Sequence, residues 1–297
     1  MFDFNGKTAF ITGGASGIGF GIAMSLSKRG CKVALADIDA EQLELVAQDF
    51  PGEFMTVQID VRDRGRWAEV KSEVEEKLGP VSILINNAGV MDNPGVPMSK
   101  RGLVDYAPER WDRMIDISLT GVANGIMTFG SGMRDRGFGH IVSTASTQGL
   151  IPTRGVAAYS ASKFGVVALS EALRDELADN EVGVSVLIPG VISTRLAINE
   201  LKKMGVEIPG FKMPGMDPND VGEMVVDAIK NNKLYIITHG EYEKYCEDRF
   251  ARIRAAFTEV PVSADFDPEK PLAGTREWAR HAAAEEAAKE AAAATGD

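Results

Sequence analysis

Cysteine is scarce: Cys31 and Cys246 are the only two in 297 residues. Two cannot build a disulfide framework, and they suit a reducing setting. Three histidines (His140, His239, His281) and no cysteine pair exclude a Cys/His zinc cluster, and no metal site is expected. Positive charge is in deficit. Lys and Arg number 32 against 43 Asp and Glu, a net charge of −11. Nucleic acid and anionic membrane surfaces both need clustered Lys and Arg, so neither is expected as a partner. No apolar run is long enough to span a bilayer. Met1–Lys7 leads straight into an apolar strand and shows no signal-peptide pattern. The expectation is a soluble, cytoplasmic protein, and a 44 % hydrophobic, 25 % charged chain suits a large core.

What the chain does have is alternation. Short β-type runs occur at Lys7–Thr12, Lys32–Asp37, Phe54–Ile59, Val81–Ile85, Gly139–Thr144, Gly183–Ile188 and Leu234–Thr238. Helical patterns lie between them at Gly17–Gly30, Ala40–Phe50, Arg64–Leu78, Pro108–Met133, Gly155–Leu177 and Asn219–Lys230. Strand–helix alternation predicts an α/β fold, a doubly wound (Rossmann-type) seven-stranded parallel sheet with helices on both faces. No linker divides residues 1–240, so one domain is expected, followed by a C-terminal extension over 241–297. In that extension Glu241–Phe257 reads as a helix able to cover a neighbour or the pocket mouth. Val260–Pro271 reads as loop, and the Ala/Glu-rich Arg280–Thr295 as surface helix or disorder.

The first strand ends in Thr12-Gly13-Gly14-Ala15-Ser16-Gly17-Ile18-Gly19. Glycines let the backbone turn tightly and approach a pyrophosphate, and the helix that follows aims its free N–H groups at the anion. A bare glycine cluster is an ordinary strand-to-helix turn. Here a strand precedes it, a helix follows, and Asp37 closes the next strand. A carboxylate there accepts bonds from both ribose hydroxyls of an adenine dinucleotide and repels a 2′-phosphate. Ala15, Ser16 and Ile38 supply no basic group for such a phosphate. NAD is therefore the expected cofactor, rather than NADP.

Tyr159 and Lys163 stand four apart, on one face of a helix, and Ser146 lies just beyond the strand Gly139–Thr144. A Tyr–Lys pair at that spacing is commonplace helix surface on its own. Beside a nicotinamide it has a specific use. The ammonium favours phenolate, the phenol exchanges a proton with a substrate hydroxyl or carbonyl, and the serine orients that oxygen.

With these residues in place the sequence resembles the short-chain dehydrogenase/reductase family. The matches are the turn Thr12–Gly19, Asp60-Val61, Asn86-Asn87-Ala88-Gly89, Ser146, Tyr159-x-x-x-Lys163, and Pro189-Gly190 followed by Thr194, in order over about residues 5–240. The resemblance implies that Gly13, Ser16, Gly17, Ile18, Gly19, Asp37 and Ile38 form the cofactor's adenosine and pyrophosphate site. Asp60 and Val61 would hold the adenine, and Asn87, Ala88 and Gly89 line its ribose. Lys163 would also bind the nicotinamide ribose, with Pro189, Gly190, Ile192 and Thr194 at the nicotinamide. It implies catalysis by Ser146, Tyr159 and Lys163. The family carries a water-holding asparagine where this chain has Ser118; a serine can hold water over a shorter reach, and activity is expected despite the change. The resemblance further implies a homodimer or homotetramer assembled through Pro108–Met133 and Gly155–Leu177.

Ligands of doubly wound sheets sit beyond the strands' carboxyl ends. Residues 90–106, with Met91, Pro94, Val96, Pro97, Met98, Leu103, Val104 and Tyr106, and residues 195–216, with Leu196, Met204, Ile208, Phe211, Met213 and Met216, are the expected substrate loops, alongside Gln148–Val156. Their Met and aliphatic content fits a roomy apolar pocket, or packing of the loops themselves. Arg154, Arg195 and Lys212 are isolated and read as surface. The last strand and the extra helix resemble bacterial Cα-dehydrogenases of lignin-derived β-aryl ethers, and hydroxysteroid dehydrogenases share much of the pattern. The expected function is NAD-dependent oxidation of a bulky, apolar secondary alcohol to a ketone. A ketoreductase and a non-catalytic NAD-binding protein are the alternatives.

Overall fold

The structure is a computed structural model and describes residues 2–91, 102–194 and 215–263, with scattered residues between 266 and 284. Seven strands form one sheet: β1 (Thr8–Thr12), β2 (Lys32–Asp37), β3 (Phe54–Gln58), β4 (Val81–Asn86), β5 (Gly139–Thr144), β6 (Val182–Ile188) and β7 (Tyr235–Ile237). The order is β3-β2-β1-β4-β5-β6-β7, and every neighbouring pair is parallel. The central strands β1, β4, β5 and β6 are buried along their whole length, so they carry apolar or small polar residues on both faces rather than alternating with charge.

The helices are α1 (Gly17–Ser27), α2 (Ala40–Ala47), α3 (Arg64–Leu78), α4 (Pro108–Ile115), α5 (Gly121–Arg136), α6 (Ala157–Glu176), α7 (Pro218–Lys230) and α8 (Glu243–Phe257). Alternate residues of β1 face opposite layers. Ala9 and Ile11 pack with Ile22 and Leu26 of α1 and Val221 and Val225 of α7. Phe10 packs with Trp67 and Val70 of α3 and Phe129 of α5. Its ring centre lies 5.0 Å from that of Phe129 and 5.6 Å from that of Trp67. Helices α1 and α7 approach at backbone distance. A Cβ on Gly21 would stand 2.2 Å from the Pro218 carbonyl oxygen, so only glycine fits there.

The strand order reverses between β1 and β4, and a crevice opens beyond their carboxyl ends. His140 is buried on β5, where its Nε2 meets the Ser185 hydroxyl at 2.8 Å, and that hydroxyl donates to the Lys233 carbonyl. Burial pushes its pKa down to about 3, so this histidine is a neutral core group.

Three expectations need adjustment. The stretch Pro108–Met133 is two helices joined by a π-helical turn at Asp116–Thr120, an inserted-residue geometry that hydropathy periodicity does not register. The helix expected from Gly155 starts at Ala157, because Gly155 adopts φ 84° in the preceding turn. The helix at Ala40 stops at Ala47. The chain divides into two compact units, Met1–Cys246 and Glu247–Asp297. Within 280–295, Arg280, His281, Ala282 and Ala284 have helical backbone, and the remainder lies outside the described residues. So do 92–101 and 195–214, which hold most of the expected substrate loops.

Candidate active site

The turn after β1 is built around missing side chains. Gly13 sits at φ 64°, and a Cβ on it would lie 2.9 Å from the Asn87 side-chain nitrogen. A Cβ on Gly19 would lie 2.2 Å from the Gly13 carbonyl oxygen, so the first turn of α1 folds directly onto the loop. The Thr12 hydroxyl accepts from the backbone N–H of Asn87 at 2.9 Å and of Ala88 at 3.0 Å. In return the Asn87 amide donates to the Thr12 carbonyl at 3.1 Å. These bonds stitch the ends of β1 and β4 together at the switch point. Ser16 precedes α1 in extended conformation and makes no capping bond, leaving the helix's first N–H groups facing the crevice.

Asp37 ends β2 at the same rim. One carboxylate oxygen accepts from the Ala15 N–H and the other from the Asp39 N–H, each at 3.2 Å. The glycine loop and the acidic residue are thus one hydrogen-bonded unit. Further along the rim Asp60 is engaged by Arg62, with Nη2 to Oδ2 at 2.6 Å and Nε to both oxygens at 3.0 Å. The guanidinium holds its carboxyl below the usual carboxylate range. The Val61 carbonyl accepts from Trp67 Nε1 and Asn124 Nδ2, both at 2.9 Å, which fixes this end of the crevice to α3 and α5.

The catalytic candidates enter from β5 and α6. Ser146 follows β5 with extended backbone, and its hydroxyl accepts from the Gln148 N–H at 3.2 Å. It also stands beside the Tyr159 phenol and favours the ionised form of that group. One turn on, Lys163 is buried, with its Nζ 5.7 Å from the centre of the Tyr159 ring. That Nζ donates to the Thr144 carbonyl at 2.8 Å. Burial pulls the Lys163 ammonium down to about 8. Burial also raises the Tyr159 phenol, and Ser146 opposes that rise. This differs from the expectation that Lys163 depresses Tyr159: within the protein alone, desolvation acts on both groups and favours their neutral forms.

These groups converge on one cleft of about 610 Å³. Of the residues expected from sequence, Gly13, Ser16, Gly17, Ile18, Asp37 and Ile38 line one end of it, with Asp60 and Val61 beside them. Asn87, Ala88 and Gly89 line its middle. Ser146, Tyr159 and Lys163 face Pro189, Gly190, Ile192 and Thr194 across the far end. Gly19 and Ser118 stand behind the wall. Ser118 occupies the π-helical turn and is fully buried; its hydroxyl accepts from the Val90 N–H at 3.2 Å and touches Met114 Sδ at 3.8 Å. A Cβ on Gly89 would come within 3.4 Å of Lys163 Nζ and 3.7 Å of Ser118 Oγ, so only that glycine separates the two.

Sequence reasoning missed Arg62, Arg113, Ile117 and Thr144 as lining residues. Arg62 directly follows Asp60-Val61, and that adjacency was the available signal. Nothing in the sequence marks Arg113. Of the apolar residues expected in the loops, Met91 lines the cleft, whereas Val104 is 97 % exposed. Thr238 was not singled out either. Its hydroxyl accepts from the Gly190 N–H at 3.0 Å and bonds His239 Nδ1 at 2.6 Å, anchoring the loop that lines the far end.

The model of the short chain dehydrogenase family matches residues 7–205. The chain belongs to the short-chain dehydrogenase/reductase family. A C alpha-dehydrogenase of Sphingobium sp. (strain NBRC 103272 / SYK-6) is 31 % identical over 287 residues, covering 91 % of each chain. The 2,3-dihydro-2,3-dihydroxybenzoate dehydrogenase of Bacillus subtilis (strain 168) is 34 % identical over 251 residues, covering 79 % of this chain and 93 % of that one. Among solved structures, a short-chain dehydrogenase/reductase from Burkholderia phymatum in complex with NAD superposes with a TM-score of 0.78 at 27 % identity, covering 92 % of this chain and all of that one. As a short-chain dehydrogenase, the protein is an oxidoreductase of small molecules. Among the described residues no helix is long and apolar enough to cross a membrane, and no cluster of His, Cys, Asp and Glu could hold a metal ion.

Proposed function

We propose that this short-chain dehydrogenase oxidises a bulky, largely apolar secondary alcohol, benzylic or otherwise aromatic, to its ketone with NAD. The observation that carries this reading is the meeting of two independent residue sets in one cleft: the glycine turn with Asp37, and Ser146, Tyr159 and Lys163. A bound nicotinamide supplies the hydride acceptor. The N–H groups at the start of α1 fit its pyrophosphate, and the glycine turn that presents them is held tight against Asn87, where a Cβ at Gly13 or Gly19 would clash. Asp37 binds the adenosine ribose hydroxyls and repels a 2′-phosphate. Val61 supports the adenine, with Asp60 fixed beside it by Arg62.

Ser146 holds the substrate oxygen against Tyr159, and the phenol oxygen takes the hydroxyl proton as the carbinol C–H bond breaks. Lys163 stays within reach of the Tyr159 ring and gives the phenolate a cation to face. Ser118 lies one glycine away from Lys163, near enough to help hold a water for proton exchange. Ile192 and Thr194 border the nicotinamide end, and Met91 supplies part of an apolar substrate wall. Residues 1–240 form the catalytic domain and 241–297 an extension. The protein works in the cytoplasm as a homo-oligomer, consistent with Cys31 and Cys246 forming no disulfide.

The test is NADH formation across benzylic alcohols, hydroxysteroids and aliphatic secondary alcohols, with NAD and NADP run in parallel. Turnover of at least one bulky alcohol with NAD is expected. Silence with every alcohol, or a preference for NADP, overturns the reading.

A further inference from the structure

Helix α8, Glu243–Phe257, buries none of its fifteen residues. Isolated helices of about 12–15 residues are marginal in water, so a bare apolar side on such a helix calls for a cover. Its apolar positions include Cys246, Phe250, Ile253 and Phe257, spaced four, three and four residues apart. Phe250 is 57 % exposed, Ile253 41 % and Phe257 71 %. A four-three-four spacing is the narrow seam of two helices packed knobs-into-holes; a helix resting on a globular core carries a wider stripe.

We propose that α8 is a self-association surface whose occupant is the same helix of a second copy of this chain, running antiparallel. The four seam positions are symmetric about the point between Ala251 and Arg252. A two-fold axis there sets Phe250 against Ile253 of the partner subunit, and Cys246 against Phe257 of the partner subunit. One surface thus complements itself, as a two-fold interface requires. The flanking charges select the direction. Antiparallel packing brings Glu247 beside Arg254 of the partner subunit, and symmetry makes the pair twice. A parallel in-register pair would instead set Arg249 against Arg254 of the partner subunit, a repulsive contact. Glu247 and Arg254 are both exposed, so nothing within the helix competes for them by burial.

Sedimentation velocity on the full chain tests the pairing. Phe250→Glu with Ile253→Glu is expected to halve the assembled mass. Glu247→Arg alone is expected to weaken the same association at least tenfold, and adding Arg254→Glu to restore it, since the swapped charges meet again only in the antiparallel pair. These two exposed substitutions leave the fold intact and keep the test valid if the double glutamate variant misfolds. An unchanged mass in all variants overturns the proposal, including the case where only the melting temperature moves because α8 packs on its own chain. So does an unchanged mass with loss of binding to anionic lipid vesicles. Failure of the double charge swap to restore association, or a Cys246–Cys246 crosslink on mild oxidation, overturns the antiparallel pairing.

Discussion

Replacing Lys163 with methionine separates what the site needs from what the fold prefers. The side chain is 3 % exposed and its ammonium donates to the Thr144 carbonyl at 2.8 Å, with no carboxylate paired to it among the described residues. Burial lowers it from 10.5 to about 8. At about 1.4 kcal/mol per pH unit, holding it charged in the fold costs about 3 kcal/mol near neutrality. The folded value lies below the unfolded one. Between the two, the unfolded chain binds a proton that the folded chain lacks. Stability therefore rises with pH across that window, and the penalty is full only below about 8. Lys163→Met removes the penalty but strips the Thr144 carbonyl of its donor, which costs roughly 1–3 kcal/mol. At about pH 7 the variant should equal or exceed the native protein by up to roughly 2 kcal/mol, and by about pH 10 the native protein should have regained roughly 2–3 kcal/mol relative to it. Urea unfolding of both cofactor-free proteins across this range measures the difference, and titrations common to both cancel. A stability difference that stays constant with pH would refute the claim that the charge is desolvated.

Other substitutions probe the cradle and its supports. Gly19→Ala puts a Cβ 2.2 Å from the Gly13 carbonyl oxygen, and the loop must move. Loss of one charge-assisted N–H contact to the pyrophosphate, about 1.5–3 kcal/mol, should weaken NADH binding roughly 10- to 100-fold by titration calorimetry. Asp37→Ser should narrow the preference for NAD over NADP, read as the ratio of kcat/KM values, because the repulsion of a 2′-phosphate is gone. Thr238→Val leaves the Gly190 N–H without its 3.0 Å acceptor; a loss of about 1–3 kcal/mol in unfolding free energy and a raised KM for NAD are expected.

The sheet was legible because a buried parallel strand must be apolar on both faces. Val81–Ile85 of β4 read as buried on both faces for that reason, and β1, β5 and β6 carry no charged residue other than the titratable His140. The cleft was legible through residues whose chemistry is tied to spacing: glycines that tolerate no Cβ, Asp37 at a strand end, and Tyr159 and Lys163 one helical turn apart. What escaped depends on three-dimensional neighbours. The π-helical turn changes hydrogen-bond partners without changing composition, so Pro108–Met133 looked like one helix. The Asp60–Arg62 pair and the Thr238 anchor are long- or short-range contacts that no period encodes. The effect of burial on Tyr159 also escaped, because a nearby cation is visible in a sequence, whereas the depth of burial is not.

The most direct measurement follows the fate of the carbinol hydrogen. An alcohol found to turn over is prepared with deuterium on its carbinol carbon and incubated with NAD and enzyme in ordinary water, and the reduced cofactor is examined by mass spectrometry. The account predicts that the deuterium appears in the NADH formed by the native protein, and that Tyr159→Phe binds NAD yet forms almost none. Unlabelled NADH, or a Tyr159→Phe variant as fast as the native protein, would contradict it.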